Sequence, residues 1–373
     1  MISKVLPELE HFVPVAPTKE PLEYAKLRTL DLSQYDKGPE AKAALAEELR
    51  LAMTTQGFFI LINHGLTEEE VNRQVDIGHH IITNTDEEEK KRLKAPMAEE
   101  GSYFGFKPLG HWTAGPGVRD RVENYNIFRN MALQEQPDTM NPFIPEVQQF
   151  VDYVHKEILF KLLRLFAIAL QLEDEDYLVK LHAYDKRDET FLRYMEYFDT
   201  YTKAEQEHTR GLWLGGHQDL TSVSLLWSQP MASLQVRDFE GSHEWRYVPY
   251  VPGSMIVNCG EVMMWWTGDY FKSAIHRVHQ PPPDQRGHNR CGVFYFCLPN
   301  DDVVINTLLD ESPVLRKAGV ARSHKPEDAP TSKEWANARI KITGMKAKFT
   351  KESGDGADME VEKVGKVITR WYR

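Results

Sequence analysis

Cysteine is scarce: Cys259, Cys291 and Cys297 are the only three in 373 residues. An odd, small number excludes a disulfide framework and fits a reducing compartment. No C-x-x-C pair occurs, which excludes a thiolate zinc site of the usual spacing. Long apolar runs are missing as well. The richest stretches, near 158–172 and 251–266, are broken by polar residues, so no membrane-spanning helix is expected. Positive charge is outweighed by negative, the formal net charge being −11, and no Lys/Arg run or basic recognition helix is present. Nucleic acid and anionic membrane are therefore excluded as expected partners. The first residues pair no basic flank with an apolar run, so no secretory signal is expected and a cytoplasmic location is.

What is present suffices for a sizeable core: 41% of residues are hydrophobic and 11% aromatic. Residues 1–26, rich in Pro, Glu and Lys, read as a loose arm. Residues 27–32 read as a short strand, and 41–55 as a helix, with apolar residues at helical spacing and no Pro or Gly. Gly57 stops that helix, and 58–62 is β-prone up to the turn Asn63-His64-Gly65. Thr67 followed by three glutamates opens another helix, and 145–172 carries a third with a stripe through Val147, Phe150, Val154, Ile158 and Leu162. After about residue 190 the texture becomes a succession of short β-prone runs separated by Gly, Pro and Asp/Asn. That pattern suggests a sandwich or barrel. There is no internal repeat. Residues 310–334 read as a polar linker, and Ser353-Gly354-Asp355-Gly356 as the turn of a terminal hairpin. The expected organisation is thus an arm (1–26), a helical and mixed region (27–185), a β-rich core (186–305) and a C-terminal region (306–373).

The strongest local signal is Gly216-His217-Gln218-Asp219. In an extended chain residues i and i+2 leave the same face, so His217 and Asp219 can aim an imidazole and a carboxylate at one point. Two histidines and one carboxylate on one face of an octahedron suit a non-haem Fe(II) oxygenase, with the opposite positions left for oxygen and a chelating substrate. A second histidine is available in Ser273-Ala274-Ile275-His276-Arg277-Val278-His279. His276 and His279 differ in strand parity, so only one can join the site, and spacing alone does not choose between them.

Several motifs then occur in a shared order, and through them the chain resembles the isopenicillin-N-synthase-like family of 2-oxoglutarate- and Fe(II)-dependent dioxygenases. They are Gly57-Phe58-Phe59 with Asn63-His64-Gly65, Tyr103-Phe104-Gly105, and the run from Asp120 to Glu123 with Tyr125 and Ile127. His217-Gln218-Asp219, residues 254–261 and His276-Arg277-Val278 follow. The resemblance spans roughly 27–344. It implies a mainly β fold with flanking helices, a distorted double-stranded β-helix (jelly roll), and it selects His276 over His279 as the third iron ligand. It implies Fe(II), O2 and 2-oxoglutarate as reactants, and oxidation of a C–H bond of a small molecule by hydroxylation, desaturation or ring rearrangement, with succinate and CO2 released.

Two departures stand out. The family's Arg-x-Ser pair, whose Arg holds the far carboxylate of 2-oxoglutarate, reads Arg290-Cys291-Gly292 here. A bidentate guanidinium outweighs one neutral hydrogen bond, so Arg290 carries the inference without the Ser. Arg286 competes, but its Pro-rich setting reads as a loop. The Asn-x-Tyr pair reads Met195-Glu196-Tyr197; Tyr197 is retained as a co-substrate contact and Met195 is read as packing. For substrate, strand parity puts Phe296 and Leu298 on the face of Arg290, and the resemblance adds Tyr103, Tyr125 and Ile127 to the same wall. The alternatives are an Fe(II) oxidase on this fold that uses no 2-oxoglutarate, and a non-catalytic binding jelly roll. A monomer or weak homo-oligomer is expected.

Overall fold

Alternating apolar strands that are buried on both faces need a layer on each side, and the chain supplies one as helices and the other as a second sheet. The computed structural model describes residues 7–115, 117–238, 244–322, 324–342, 350–352, 359–364 and 367–372. The chain enters through β1 (Arg28–Asp31), α1 (Pro39–Thr55), β2 (Phe58–Ile62) and α2 (Glu68–Asn84). Thr67 caps α2, and its hydroxyl and the Glu70 carboxylate satisfy each other's backbone N–H. Helix α3 (Glu87–Arg92), β3 (Gly105–Lys107), a small ribbon of β4 (Thr113–Gly115) and β5 (Val118–Arg119), and β6 (Val122–Phe128) follow. Helices α4 (Ile144–Tyr153) and α5 (Phe160–Ala169) are joined by a π-helical segment, Val154–Leu159, so the expected long helix runs through with one irregular stretch.

The β-rich half begins after α6 (Tyr177–Leu181). It comprises β7 (Phe191–Tyr197), α7 (Lys203–Thr209), β8 (Leu212–His217), β9 (Val223–Trp227), β10 (Leu234–Arg237), β11 (Trp245–Tyr247), β12 (Met255–Cys259), α8 (Glu261–Trp266), β13 (His276–His279) and β14 (Arg290–Cys297). Eight strands form one sheet in the order β1-β2-β12-β9-β14-β7-β6-β3, and four form the other, β11-β10-β13-β8. This is the double-stranded β-helix expected. One face of the large sheet packs on the helices through Tyr125, Ile127, Leu192, Tyr194, Val293 and Tyr295. The opposite face, with Phe58, Met195, Tyr197, Ile256 and Phe294, looks toward Trp213, Val236 and Val278 of the small sheet.

Two expectations are corrected at the ends. The N-terminal arm is held rather than loose, because His11 and the Phe12 N–H both meet the Asp76 carboxylate, and Thr18 and Lys19 meet Asp284. The stretch read as a polar linker contains α9 (Pro313–Lys317) and leads into α10 (Ser332–Ile342), whose Trp335 and Ile340 are fully buried. A three-stranded antiparallel sheet closes the chain with β15 (Thr350–Glu352), β16 (Met359–Val364) and β17 (Val367–Tyr372), and β17 runs close to β8. The turn expected at 353–356 lies outside the described residues.

Candidate functional site

His217 ends β8 and His276 begins β13, and the two are direct partners across the antiparallel ladder. Their rings lie 4.4 Å apart between centroids. Asp219, two residues on, brings Oδ1 to 3.7 Å from His217 Nε2 and 3.6 Å from His276 Nε2. Among the described residues these three form the group of His, Cys, Asp and Glu side chains placed to hold a metal ion, with ligand atoms all within 4.8 Å of one another. His279 is not in it. Its Nδ1 lies 2.9 Å from the Gln280 carbonyl, and it pairs with Leu212 at the far end of β8.

Each ring is oriented by its other nitrogen. His217 Nδ1 sits 2.9 Å from the Gly215 carbonyl, and His276 Nδ1 3.2 Å from the Ala274 carbonyl. A carbonyl can only accept, so Nδ1 carries the proton and Nε2 turns its lone pair to the centre. Burial also pushes the His217 pKa down, which keeps the ring neutral and able to ligate. Asp219 is fixed from behind, as Asn258 on β12 donates to its Oδ2 at 2.9 Å. Burial raises its pKa, but His276, His217 and Asn258 outweigh that and hold it below the usual carboxylate value. The Glu261 N–H donates to the Asp219 carbonyl at 2.7 Å, and Arg339 of α10 grips the Glu261 carboxylate through two nitrogens at 2.8 and 3.0 Å.

On the large sheet, register decides which residues see the triad. Arg290 of β14 pairs with Tyr197 of β7, which pairs with Val122 of β6. Side chains alternate across the pleat, so Gly292, Phe294 and Phe296 share the face of Arg290 with Met195, Arg193, Phe191, Asn124 and Asn126. The Arg290 guanidinium lies 5.1 Å from the Tyr197 ring centre and forms no ion pair among the described residues, and its buried Nε has no hydrogen-bond partner. A buried cation with an orphaned donor fits the carboxylate of 2-oxoglutarate. Arg286 instead donates to the Pro281 carbonyl in a loop. At Gly292, a Cβ would meet Phe294 at 2.9 Å and Gln229 at 3.0 Å, so these side chains fill the space where the family's Ser would stand.

Tyr103, Phe296 and Leu298 come together in one cluster with Phe191, and Phe296 is the least buried residue of β14. Tyr125 and Ile127 do not join them, which corrects the expected wall. Both face the helices, and the Tyr125 hydroxyl donates to Gln136 at 2.8 Å. Asn124 and Asn126 take the inner face instead. The sequence reading also missed Arg193, although it shares the parity of Tyr197 within one β-prone run. A charge at the parity of Tyr197 inside a doubly covered strand was the available signal.

Two family models match the chain. Residues 189–299 match the 2OG-Fe(II) oxygenase superfamily, and residues 27–146 match the non-haem dioxygenase in morphine synthesis N-terminal model. A 2-oxoglutarate-Fe(II) type oxidoreductase of Aspergillus fumigatus is 26% identical, over 78% of this chain and 86% of the relative. Isopenicillin N synthase of Streptomyces microflavus is also 26% identical, over 68% and 80%. Among solved structures, a full-length Neurospora crassa protein in complex with alpha-KG and thymine superposes with a TM-score of 0.70 at 20% identity, covering 85% of this chain and 97% of that one.

Proposed function

We propose residue roles for a chain that belongs to the 2OG-Fe(II) oxygenase superfamily and is an Fe(II)- and 2-oxoglutarate-dependent oxygenase acting on a small organic molecule. His217, Asp219 and His276 would hold the iron, and the convergence of their three ligand atoms carries this assignment. When bound, iron with 2-oxoglutarate and O2 supplies the oxidising power for a C–H bond, and succinate and CO2 are released.

The side chains do the rest. The Gly215 and Ala274 carbonyls keep protons on Nδ1, so both imidazoles present Nε2. Arg290 and the Tyr197 hydroxyl receive the distal carboxylate of 2-oxoglutarate, with Gly292 on the same face of β14. Phe296, Tyr103 and Leu298 form the apolar wall that orients substrate over the metal, a role in which an error near 1 Å costs on the order of a hundredfold in rate. Three buried, unpaired cysteines support a reducing, cytoplasmic setting. No helix of the described residues is long and apolar enough to cross a membrane. We take the protein to be a monomer or weak homo-oligomer that binds neither nucleic acid nor membrane.

Succinate measured against substrate product, with 2-oxoglutarate supplied or withheld, tests the reading. Turnover that proceeds unchanged without 2-oxoglutarate would identify an oxidase on the same fold. Phe296→Ala is expected to leave succinate formation running while product falls or shifts to another carbon. An unchanged ratio and product would make Phe296 packing alone.

A further inference from the structure

Arg193 of β7 is 7% exposed, and among the described residues it forms no ion pair with any carboxylate. Its Nε donates to Asn126 Oδ1 at 2.6 Å. The guanidinium carbon lies 5.1 Å from the ring centre of Tyr103, 4.9 Å from Phe191 and 4.9 Å from Phe296. Such cation–π contacts contribute roughly 0.5–2 kcal/mol each, whereas the cost of burying an unpaired charge is several kcal/mol. The cage therefore tolerates the charge without neutralising it. A packing role alone would be met better by an apolar side chain of the same length.

The surroundings are short of acceptors. Asn126 Nδ2 donates to Asn124 Oδ1 at 3.0 Å and to the Tyr103 carbonyl at 2.7 Å, and the buried Asn124 Nδ2 has no partner. The orphaned Asn124 Nδ2, near a cation that forms no ion pair among the described residues, describes the complement of an anionic group. This cation is distinct from Arg290. Arg290 pairs with Tyr197, while Arg193 stands four residues further along β7, opposite Phe294 and near enough to Asp219 to feel its charge. The two guanidiniums thus stand at different rungs of the β7–β14 ladder on one face of the sheet.

We propose that Arg193 is the substrate-recognising residue of this oxygenase, and that its substrate is a planar, ring-containing carboxylate. The acid group docks on the free guanidinium nitrogens, and the ring packs against Tyr103 and Phe296. This rests on the proposed co-substrate role of Arg290, because two carboxylates must then be held at two separate arginines.

The test uses the full chain loaded with Mn(II) in place of iron, so that binding is read without turnover. The probes are phenylacetate, cinnamate and naphthoate, each beside its neutral primary amide, titrated by calorimetry and by indole fluorescence. 2-Oxoglutarate is titrated separately. Wild type is expected to bind at least one acid about 10- to 100-fold more tightly than its amide, the range for one charge-assisted pair. Arg193→Met should erase that preference and leave 2-oxoglutarate affinity within about twofold. Arg193→Lys, which keeps the charge, should restore part of the preference even if the Met variant folds poorly. The proposal is overturned if no acid outbinds its amide in wild type, if the preference survives in Arg193→Met, or if that variant loses 2-oxoglutarate as strongly as Arg290→Leu. Failure of 2-oxoglutarate to bind wild type would instead sink the co-substrate reading, whatever the acid and amide arms show.

Discussion

Strands β6, β7 and β14 carry two faces that obey opposite rules. On the helix side Tyr125, Ile127, Leu192, Tyr194, Val293 and Tyr295 are closely packed, and the polar tips find partners, as when the Tyr194 hydroxyl donates to Gln74 at 2.7 Å. On the inner side the same strands present Asn124, Asn126, Arg193 and Arg290, two of them with orphaned nitrogens. A fold pays for its order with the first face. The second face holds unpaired charge that costs stability, and a ligand is what makes that arrangement reasonable.

The largest loss is expected from removing a triad side chain of the small sheet. His276→Ala should abolish metal-dependent turnover and iron binding while the fold persists, because its Nε2 faces only the site. His279→Ala should bind iron as wild type does. Metal content by elemental analysis with succinate formation reads both, and the reverse pattern would transfer the ligand role to His279.

On the helix side the expectation inverts. Ile127 is fully buried among core residues. Ile127→Ala should cost about 2–4 kcal/mol of stability and leave turnover per folded molecule within about twofold. Denaturant midpoints alongside rates normalised to folded protein decide it. A variant that is stable but catalytically crippled would put Ile127 in the substrate wall after all.

That residue also shows where the sequence was legible and where it was not. The His-x-Asp spacing names two side chains that converge, since i and i+2 on an extended chain point one way whatever the partner strands. The third histidine needed the shared motif order, because His276 and His279 both sit in one β-prone run. Strand β6 misled for a physical reason. Its residues are buried on both faces, so hydrophobicity does not alternate with solvent and offers no check on the face that the resemblance gave to Tyr125 and Ile127. The face turned toward the small sheet carries Asn124 and Asn126 between Val122 and Phe128. Only the pairing of Val122 with Tyr197, and of Tyr197 with Arg290, assigns the face. Helix α10 was hidden differently: the polar, Pro-containing stretch 310–334 reads as a linker, and the helix that starts at its end is held by buried contacts such as Arg339 on Glu261.

Arg290 gives the next, smaller effect. Arg290→Leu should raise the 2-oxoglutarate concentration needed for half-maximal succinate formation by about 10- to 100-fold, the worth of one charge-assisted bidentate contact. Arg286→Leu should leave it unchanged, since that side chain serves a loop carbonyl. Equal effects from both would show that the Pro-rich loop folds inward during turnover.

The mildest prediction concerns the margin between the two faces. Glu189 precedes β7, and Ser102 donates to its Oε2 at 2.9 Å beside Tyr103. Burial pushes the Glu189 carboxyl up to about 8, against the hydrogen bonds from Ser102 and the Tyr103 N–H. A raised carboxyl means that the folded chain keeps a proton the unfolded chain has already lost. The stability contribution is therefore complete below the ordinary carboxyl range near 4.5, declines as pH climbs toward 8, and is flat above it. Glu189→Gln keeps the shape and removes the titration. Thermal unfolding at intervals from pH 5 to 9 should show the Gln variant gaining on wild type as pH rises, with the gap levelling off near pH 8. Parallel curves would mean that Glu189 is ionised in the folded protein and that its carboxylate is solvated, leaving the segment around Tyr103 to be held by packing alone.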